Sequence, residues 1–269
     1  MEKLIQQYGE SMRFLIPFVQ IVVRYLLFAG SAYMFFYGWR HREWVYRKIQ
    51  AKFPEKKHLL REIRYSILTA AIFALVAVAT FWARQQGYSR VYTDVHQHSW
   101  GYLLFSFVLM VLLHDTYFYW THRLIHHRRL FPYFHRVHHL SHNPSPWAAY
   151  AFHPLEAIVE AGILPLILFT LPVHPLALIF FSLFMIMFNI MGHLGYELVP
   201  ERLHQHWLGR WFNTSTHHNM HHQLVKGNYG LYFNVWDTLM GTNHRQYEQR
   251  YQEIISREKT ATSVPSRFV

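Results

Sequence analysis

The stretch at 65–83, YSILTAAIFALVAVATFWA, runs for nineteen residues without a charge. A second, GYLLFSFVLMVLLHDTYFYW at 101–120, has Asp115 as its one acidic residue and no Lys or Arg. About 20 predominantly apolar residues suffice to cross a bilayer as a helix. The region 155–192 is about twice that length and is interrupted by LPVHP at 171–175. Proline removes a donor and clashes with the preceding turn, so this region predicts a helical hairpin of two short spans. The run at 14–37 has Arg24 near its centre, where an arginine costs ~2.5–3.5 kcal/mol on insertion scales. It either crosses with Arg24 paired or snorkelling, or lies on the surface. The expected fold is all-α: a multi-pass integral membrane bundle of four to five spans. No small-residue cleavage site follows a short apolar run, so no cleavable signal peptide is expected.

Charge then sets orientation. Only 15% of residues are charged, against ~25% in soluble domains, yet the net charge is +11. Residues 38–64 hold nine Lys or Arg against three Glu, while 85–98 holds Arg90 balanced by Asp94. By the positive-inside rule the first segment is cytosolic and the second external. Continuing the trace, 121–153 and 193–269 are cytosolic and the PVH tip is external. The basic charge thus sits where topology requires it, which argues against a nucleic-acid partner. The chain has no cysteine, which excludes disulfides, thiolate metal sites and Cys nucleophiles.

All three histidine clusters fall on the cytosolic side of this trace. Helical residues at i, i+3 and i+4 share a face. His122 and His126 are four apart, with His114 two turns earlier on the same stripe. His135, His138 and His139 repeat the i, i+3, i+4 spacing, as do His218, His221 and His222. Each triplet is expected to aim three imidazoles, the commonest metal-ligating side chain, at one point. Two triplets, a pair and His114 make nine candidates, too many for one ion, so the count predicts a His-rich cytosolic cap holding two metals. His127 and His217 adjoin these positions and stand as alternates. His41, His58, His96, His98, His142, His174, His204, His206 and His244 lack such partners and read as ordinary polar residues. His114 and Asp115 close a span and are candidates to hydrogen-bond a ligand histidine. His153 either does likewise or marks the start of the next span. Tyr117, Tyr119, Trp120 and Trp147 line a lipid passage or form an interfacial aromatic belt. Asn228, Tyr229 and Gly230 read as a structural turn beneath the last cluster.

The segments HDTYFYWTHRLIHH, FHRVHH, NPSPWAAYAFHPLE and HHNMHHQLVKGNYGLYFNVWD together resemble the sterol desaturase and fatty acid hydroxylase superfamily, most nearly sterol C5-desaturases and their bacterial relatives. The resemblance covers about 114–242, with HxxxH at His122 and His126, then HxxHH at His135–His139 and at His218–His222. His193, in NIMGHLGYE, matches the isolated histidine between the second and third boxes. The resemblance implies a non-haem di-iron centre held by His122, His126, His135, His138, His139, His193, His218, His221 and His222, with these residues forming the catalytic site. It implies two iron ions (Fe2+), O2 as cosubstrate, a membrane lipid substrate, and two electrons from a separate protein, a reductase with a cytochrome- or ferredoxin-type carrier. The outcome is hydroxylation or desaturation of a C–H bond. Histidine ligands alone do not choose iron over zinc, copper or nickel, so iron rests on the resemblance and the dimetal count on the spacing. Basic patches at 40–64 and 202–210 are candidate docking surfaces for an acidic redox partner.

The expected organisation is a membrane region with a basic cytosolic loop at 1–100, a catalytic domain at 101–245 and a polar tail at 246–269. A membrane metal transporter or metal-binding protein is the alternative reading, but it predicts ionisable ligands at mid-bilayer. A bis-histidine haem protein would place single histidines on facing spans, and a zinc protease would carry HExxH, which is absent. The terminal PSRFV lacks a lysine-type retrieval signal, so a bacterial cytoplasmic membrane is expected ahead of the endoplasmic reticulum.

Overall fold

The computed structural model describes residues 7–257; PSRFV, and with it the retrieval-signal reading, lies outside the described residues. Those residues are helical, with isolated bridges and no named strands. Helix α1 is Met12–Tyr33, continuing through a wider π-helical turn at Met34–Trp39. Then come α2 (Lys56–Gln85), α3 (Trp100–Ile125), α4 (Pro154–Ala161), α5 (Ile163–Thr170), α6 (Pro175–His193), α7 (Ser215–Leu224) and α8 (Tyr247–Ile255). Four stretches are long and apolar enough to cross a membrane: Met12–Trp39, α2, α3 and α6. Outward-facing Val23, Leu27, Leu75, Leu104 and Phe180 stay exposed, as lipid-facing side chains do. The protein is a multi-pass membrane helical bundle. The 14–37 run is one of the four candidate spans, with Tyr25, Ala29 and Gly30 buried along one face.

The hairpin at 155–192 turns where its proline signal predicts, but of its two arms only α6 is long and apolar enough to cross a membrane, so the expected pair of spans is reduced to one. LPVHP separates α5 from α6, and His174 caps α6 by accepting from the Leu176 N–H, with Pro175 as the first helical residue. A further break, not read from the sequence, divides the descending arm into α4 and α5. Pro165 lacks the N–H that would bond the Ala161 carbonyl. Beside the break, Tyr117 Oη donates to the Val159 carbonyl at 2.6 Å. Glycine at 162 leaves room for that hydroxyl, since a Cβ there would stand 2.6 Å from it.

The two ends of the bundle are built from different loops. At one end Arg90 N–H bonds the Leu168 carbonyl, Tyr92 N–H bonds the Val173 carbonyl, and His174 Nε2 donates to the Thr93 carbonyl. At the other, Ile49 N–H bonds the Gly195 carbonyl and Glu197 N–H bonds the Arg47 carbonyl. The basic linker therefore shares an end with His122, which closes α3, and His193, which closes α6. Helix α2 is also longer than its apolar run, and the added basic turns brace the loop after the second box. Arg61 Nη2 donates to the Leu140 carbonyl at 2.8 Å, Ser145 Oγ bonds Glu62 at 2.5 Å, and Ser66 Oγ donates to the Trp147 carbonyl at 3.0 Å. Beyond residue 246 the chain forms α8, whose Tyr247, Tyr251 and Ile254 are buried, and Tyr247 Oη bonds Thr214 Oγ1 at the start of α7.

Candidate metal centre

Nine histidines converge at the end of the bundle where α3 and α6 terminate. They form two groups, within each of which the ring nitrogens lie within 4.8 Å of one another: His122, His126, His135, His139 and His221, and then His138, His193, His218 and His222. All are buried except His126, which is half-buried. They are the nine positions named from the boxes and the isolated histidine, and His127, which is exposed, and His217 stand outside both groups.

The triplets do not each serve one point, as their spacing led us to expect. His135 and His139 enter the first group while His138 enters the second; His218 and His222 enter the second while His221 enters the first. The cause is angular. At about 100° per residue, i+4 lies about 40° to one side of i and i+3 about 60° to the other. The stripe is therefore split across two neighbouring points, and each box ties the groups together. His139 of the first group and His222 of the second stand with their rings 5.0 Å apart across that seam.

The nitrogens that meet are the Nε2 atoms. In the first group His122 and His135 approach to 2.9 Å, His139 and His221 to 3.0 Å, and His126 stands 3.2 Å from both His139 and His221. In the second, His193 is 3.1 Å from His218 and from His222 and 3.3 Å from His138. The opposite ring nitrogens fix the tautomers. His122 Nδ1 donates to the Tyr229 carbonyl, His221 Nδ1 to the Gly227 carbonyl and His193 Nδ1 to the Asn189 carbonyl, at 2.8, 2.8 and 2.7 Å. His135 Nδ1 donates to Glu156 Oε1 at 2.6 Å. A carbonyl or carboxylate only accepts, so each neutral ring carries its proton on Nδ1 and a bare lone pair on Nε2.

His122 and His135 consequently face each other lone pair to lone pair. That arrangement is repulsive by itself and is resolved by a cation between them. Ligands about 2.1 Å from one ion stand about 3.0 Å apart at right angles and about 3.4 Å apart in a tetrahedron, which matches the Nε2 spacings. The donor set fits metal ions.

Electrostatics keep the cage ready for a metal. Burial, as the largest cause, and then the neighbouring imidazoles hold His126, His135, His138, His139, His218, His221 and His222 well below the usual histidine range. Near neutral pH the rings are therefore unprotonated and free to ligate.

The supporting residues differ from those the sequence put forward. His114 Nδ1 pairs with Tyr232 Oη, and Asp115 accepts from the Tyr232 and Phe233 N–H groups, so both anchor the 230s loop and neither touches a cage histidine. His153 caps α4 through the Leu155 N–H. The carboxylate that orients a ligand is Glu156, in the first turn of that helix. Its one sequence signal was an acid near the start of an apolar run. The NYG turn does more than shape the backbone, since the Gly227 and Tyr229 carbonyls orient His221 and His122. Asp237 clamps the turn by accepting from the Tyr229 and Gly230 N–H groups at 2.9 and 2.7 Å. Residue 230 must be glycine, because a Cβ there would lie 2.5 Å from the Phe233 carbonyl oxygen. His217 lies 3.6 Å from the buried Asp237 carboxylate and supports the same turn.

Beneath the cage lies a cavity of about 330 Å³ between α1, α2, α3, the α4–α5 arm and α6. Phe118 and Phe152 line it, and their rings stand 4.8 Å from His122 and 5.1 Å from His138, one in each group. Ile179 also lines it and is 53% exposed on the outer face of α6, so the cavity reaches the lipid-facing surface. Tyr117, Tyr119, Trp120 and Trp147 are not among its walls. Tyr117 caps the α4–α5 break, Tyr119 is buried against Thr242, Trp120 packs on Trp236, and Trp147 packs on Tyr25 and Tyr33. The walls are mostly aliphatic and phenylalanine side chains, with Arg24, His114, Tyr150, Glu160 and Asn189 among them.

Comparison with known proteins bears on this arrangement. The family profile described as "Fatty acid hydroxylase" matches residues 107–242. The chain is 31% identical over 188 residues to a Delta(7)-sterol 5(6)-desaturase of Gibberella zeae, a match covering 70% of this chain and 57% of that protein. It is 30% identical over 244 residues to a Delta(7)-sterol 5(6)-desaturase of Aspergillus fumigatus, covering 83% of this chain and 72% of that one. It is 28% identical over 222 residues to the lathosterol oxidase of Homo sapiens, covering 81% and 71%. The match thus spans little more than half of the Gibberella protein's length. No solved structure matches the chain.

Proposed function

This chain belongs to the fatty acid hydroxylase family, and from that premise we propose that it is a membrane-bound non-haem di-iron oxygenase that hydroxylates or desaturates a C–H bond of a lipid of sterol or fatty-acyl type. The observation that carries the reading is the pair of all-histidine cages, with bare Nε2 lone pairs facing one another, roofing a cavity that reaches the lipid. His122, His126, His135, His139 and His221 would hold one iron and His138, His193, His218 and His222 the other. Bound there, the irons supply the reduction of O2 and the removal of hydrogen from an unactivated carbon.

The overall reaction balances with two electrons and two protons from outside. Hydroxylation converts R–H and O2 to R–OH and water, whereas desaturation removes two hydrogens and yields two waters. The chain's own residues position the lipid, exclude water and fix the ligands. Phe118 and Phe152 hold the carbon below the roof. Glu156 and the Asn189, Gly227 and Tyr229 carbonyls hold the imidazoles in one tautomer. We place the cages on the cytosolic face, because they share an end with the basic linker. There a separate reductase and carrier deliver electrons, with residues 101–245 as the catalytic domain and α1 and α2 completing the cavity. The cages lie where α3 and α6 end and not at mid-span, which counts against a transport path.

The test is metal analysis of the purified protein, followed by incubation with O2, a reductase, an electron carrier and membrane lipid extract. We expect iron and a hydroxylated or unsaturated lipid that forms only when the reductant is present. Zinc in place of iron, or sustained turnover without reductant, overturns the reading.

A further inference from the structure

His126 is the one cage histidine that is only half-buried, and Tyr229 stands beside it. The Tyr229 ring lies 5.0 Å from His126, 5.7 Å from His221 and 5.8 Å from His122, all of the first group. Tyr229 is itself half-buried and lines an open surface groove of about 490 Å³. Two segments form this groove, 226–229 and 241–246. Asn228 ties them together: its N–H donates to the Thr242 carbonyl at 2.9 Å, and its Oδ1 accepts from the His244 N–H at 2.7 Å. Exposed Lys226 and Arg245 therefore stand on neighbouring segments, and among the described residues no acid lines the groove. Arg123 adds a third cation at the edge, since its Nη1 donates to Tyr119 Oη, which bonds Thr242 Oγ1. The groove shares no wall residue with the cavity beneath the cage.

We propose that this groove is where the electron carrier docks, that the carrier is a one-electron redox protein with an acidic face, and that the Tyr229 ring and His126 are the contact through which the first cage is reduced. The assignment rests on the oxygenase reading for what the electrons do, but not for the docking. Electron transfer falls off steeply with distance, so a carrier must meet the cage where a ligand comes nearest to solvent. Transient redox complexes bury little surface, so one groove and its rim are area enough. Lys226, Arg245 and Arg123 complement carboxylates, and such complementary charge raises association rates by ~10–10³-fold. A nicotinamide also carries negative phosphates, but it gives up a hydride, two electrons at once, whereas iron ions accept electrons singly. Each encounter oxidises the carrier by one electron and reduces one iron, so two encounters supply the two electrons of the overall reaction.

Two functions of the NYG turn are thereby separable. Its backbone orients ligands, through the Gly227 carbonyl on His221 and the Tyr229 carbonyl on His122. The Tyr229 side chain instead joins the groove to the cage through ring contacts. Tyr229→Leu removes the ring and keeps the carbonyl, while Tyr229→Phe keeps both.

The test uses the purified, iron-loaded protein and two redox proteins of opposite charge, an acidic plant-type ferredoxin and the basic cytochrome c, both oxidised so that no electron passes during binding. We expect the ferredoxin to bind and the cytochrome not to. Its affinity should fall as salt rises from ~0.01 to ~0.1 M, where the screening length shrinks from ~30 to ~10 Å. Lys226→Glu with Arg245→Glu should weaken binding by about tenfold or more at unchanged iron content. Carbodiimide coupling of the wild-type pair should join ferredoxin carboxylates to Lys226, which decides the matter even if the variant fails to fold. With reduced ferredoxin and no O2, Tyr229→Leu should slow ferredoxin oxidation several-fold while binding stays intact, and Tyr229→Phe should restore the rate. The assignment is overturned by coupling confined to Lys52, Lys56 or Lys57, or by preferred binding of cytochrome c. Binding lost in Arg202→Glu with Arg210→Glu but kept in the Lys226 and Arg245 variant, or an unchanged rate in Tyr229→Leu, overturns it as well. Ferredoxin held at the groove of a protein that yields no oxidised lipid supports the docking and removes the oxygenase reading alone.

Discussion

Glu156 is the most exacting test of how the cage works. Its Oε1 accepts from His135 Nδ1 at 2.6 Å, both side chains are almost completely buried, and Oε2 has no hydrogen-bond partner. It sits in the first turn of α4, where the helix dipole favours a negative charge. Among the described residues it is the one carboxylate that touches a cage histidine, beside nine neutral ligands that would surround two cations. Replacing it with Gln keeps the shape and an acceptor oxygen but removes the charge. The bond then drops from the charge-assisted range of about 1.5–3 kcal/mol to about 0.5–1.5 kcal/mol. Replacing it with Ala leaves a buried N–H without a partner, which costs about 1–3 kcal/mol. It also frees His135 to move its proton to Nε2, where it no longer ligates. Changes behind a ligand typically cost ~10–100-fold in metal affinity, so we expect Gln near the low end and Ala at or beyond the high end. The assay is iron retained during dialysis against graded chelator, with the thermal midpoint followed separately to detect unfolding. Glu160→Gln, one turn away and touching no histidine, should keep the wild-type chelator midpoint. If Glu156→Ala holds iron as tightly as wild type while remaining folded, the orienting role is wrong.

Four other outcomes are expected. His139→Ala and His222→Ala should each lose iron and nearly all product formation in membranes at matched expression, while His127→Ala and His142→Ala, both outside the cage, keep iron and most activity. Because the chain has no cysteine, single Cys substitutions report sidedness: position 90 should react with an impermeant label on intact cells while exposed positions 57 and 245 are protected, and the reverse pattern refutes the orientation. Purified protein should be inactive with O2 alone and recover turnover when a reductase and a small carrier are added, as measured by mass spectrometry of the lipid. Metal-free protein should lose stability as pH falls below about 6.5, because the unfolded chain then takes up protons that the seven depressed cage histidines outside the spans refuse; a thermal midpoint that rises on acidification contradicts the sign.

What the sequence made legible follows from which forces act locally. Apolar length is a property of a segment by itself, so α2, α3 and the hairpin broken at LPVHP could be read directly. The spacing that puts His135 beside His139, or His218 beside His222, is likewise internal to one helix. The split of each triplet was not legible, since it depends on where a second helix places its own histidines. His138 meets His193 and His222, and His221 meets His126 and His139, across 55 to 95 residues of chain by the numbering. Glu156 was visible only as an acid near a span's start, because nothing local says that His135 lies opposite it.

Arg24 shows the same limit from the other side. Read alone it weakened the case for a first span, since a mid-bilayer guanidinium is a cost. In the bundle that cost becomes information. Met12–Trp39 is a candidate span despite Arg24, and the residue lines the cavity whose roof is the histidine cage. A charge that local reasoning scores against a helix is thus best explained by what the helix encloses. The same holds for Glu160, an acid on the short helix α4 that lines the same cavity. Both residues break the local rule on the wall of the cavity beneath the cage, and only the packed bundle shows that they share it.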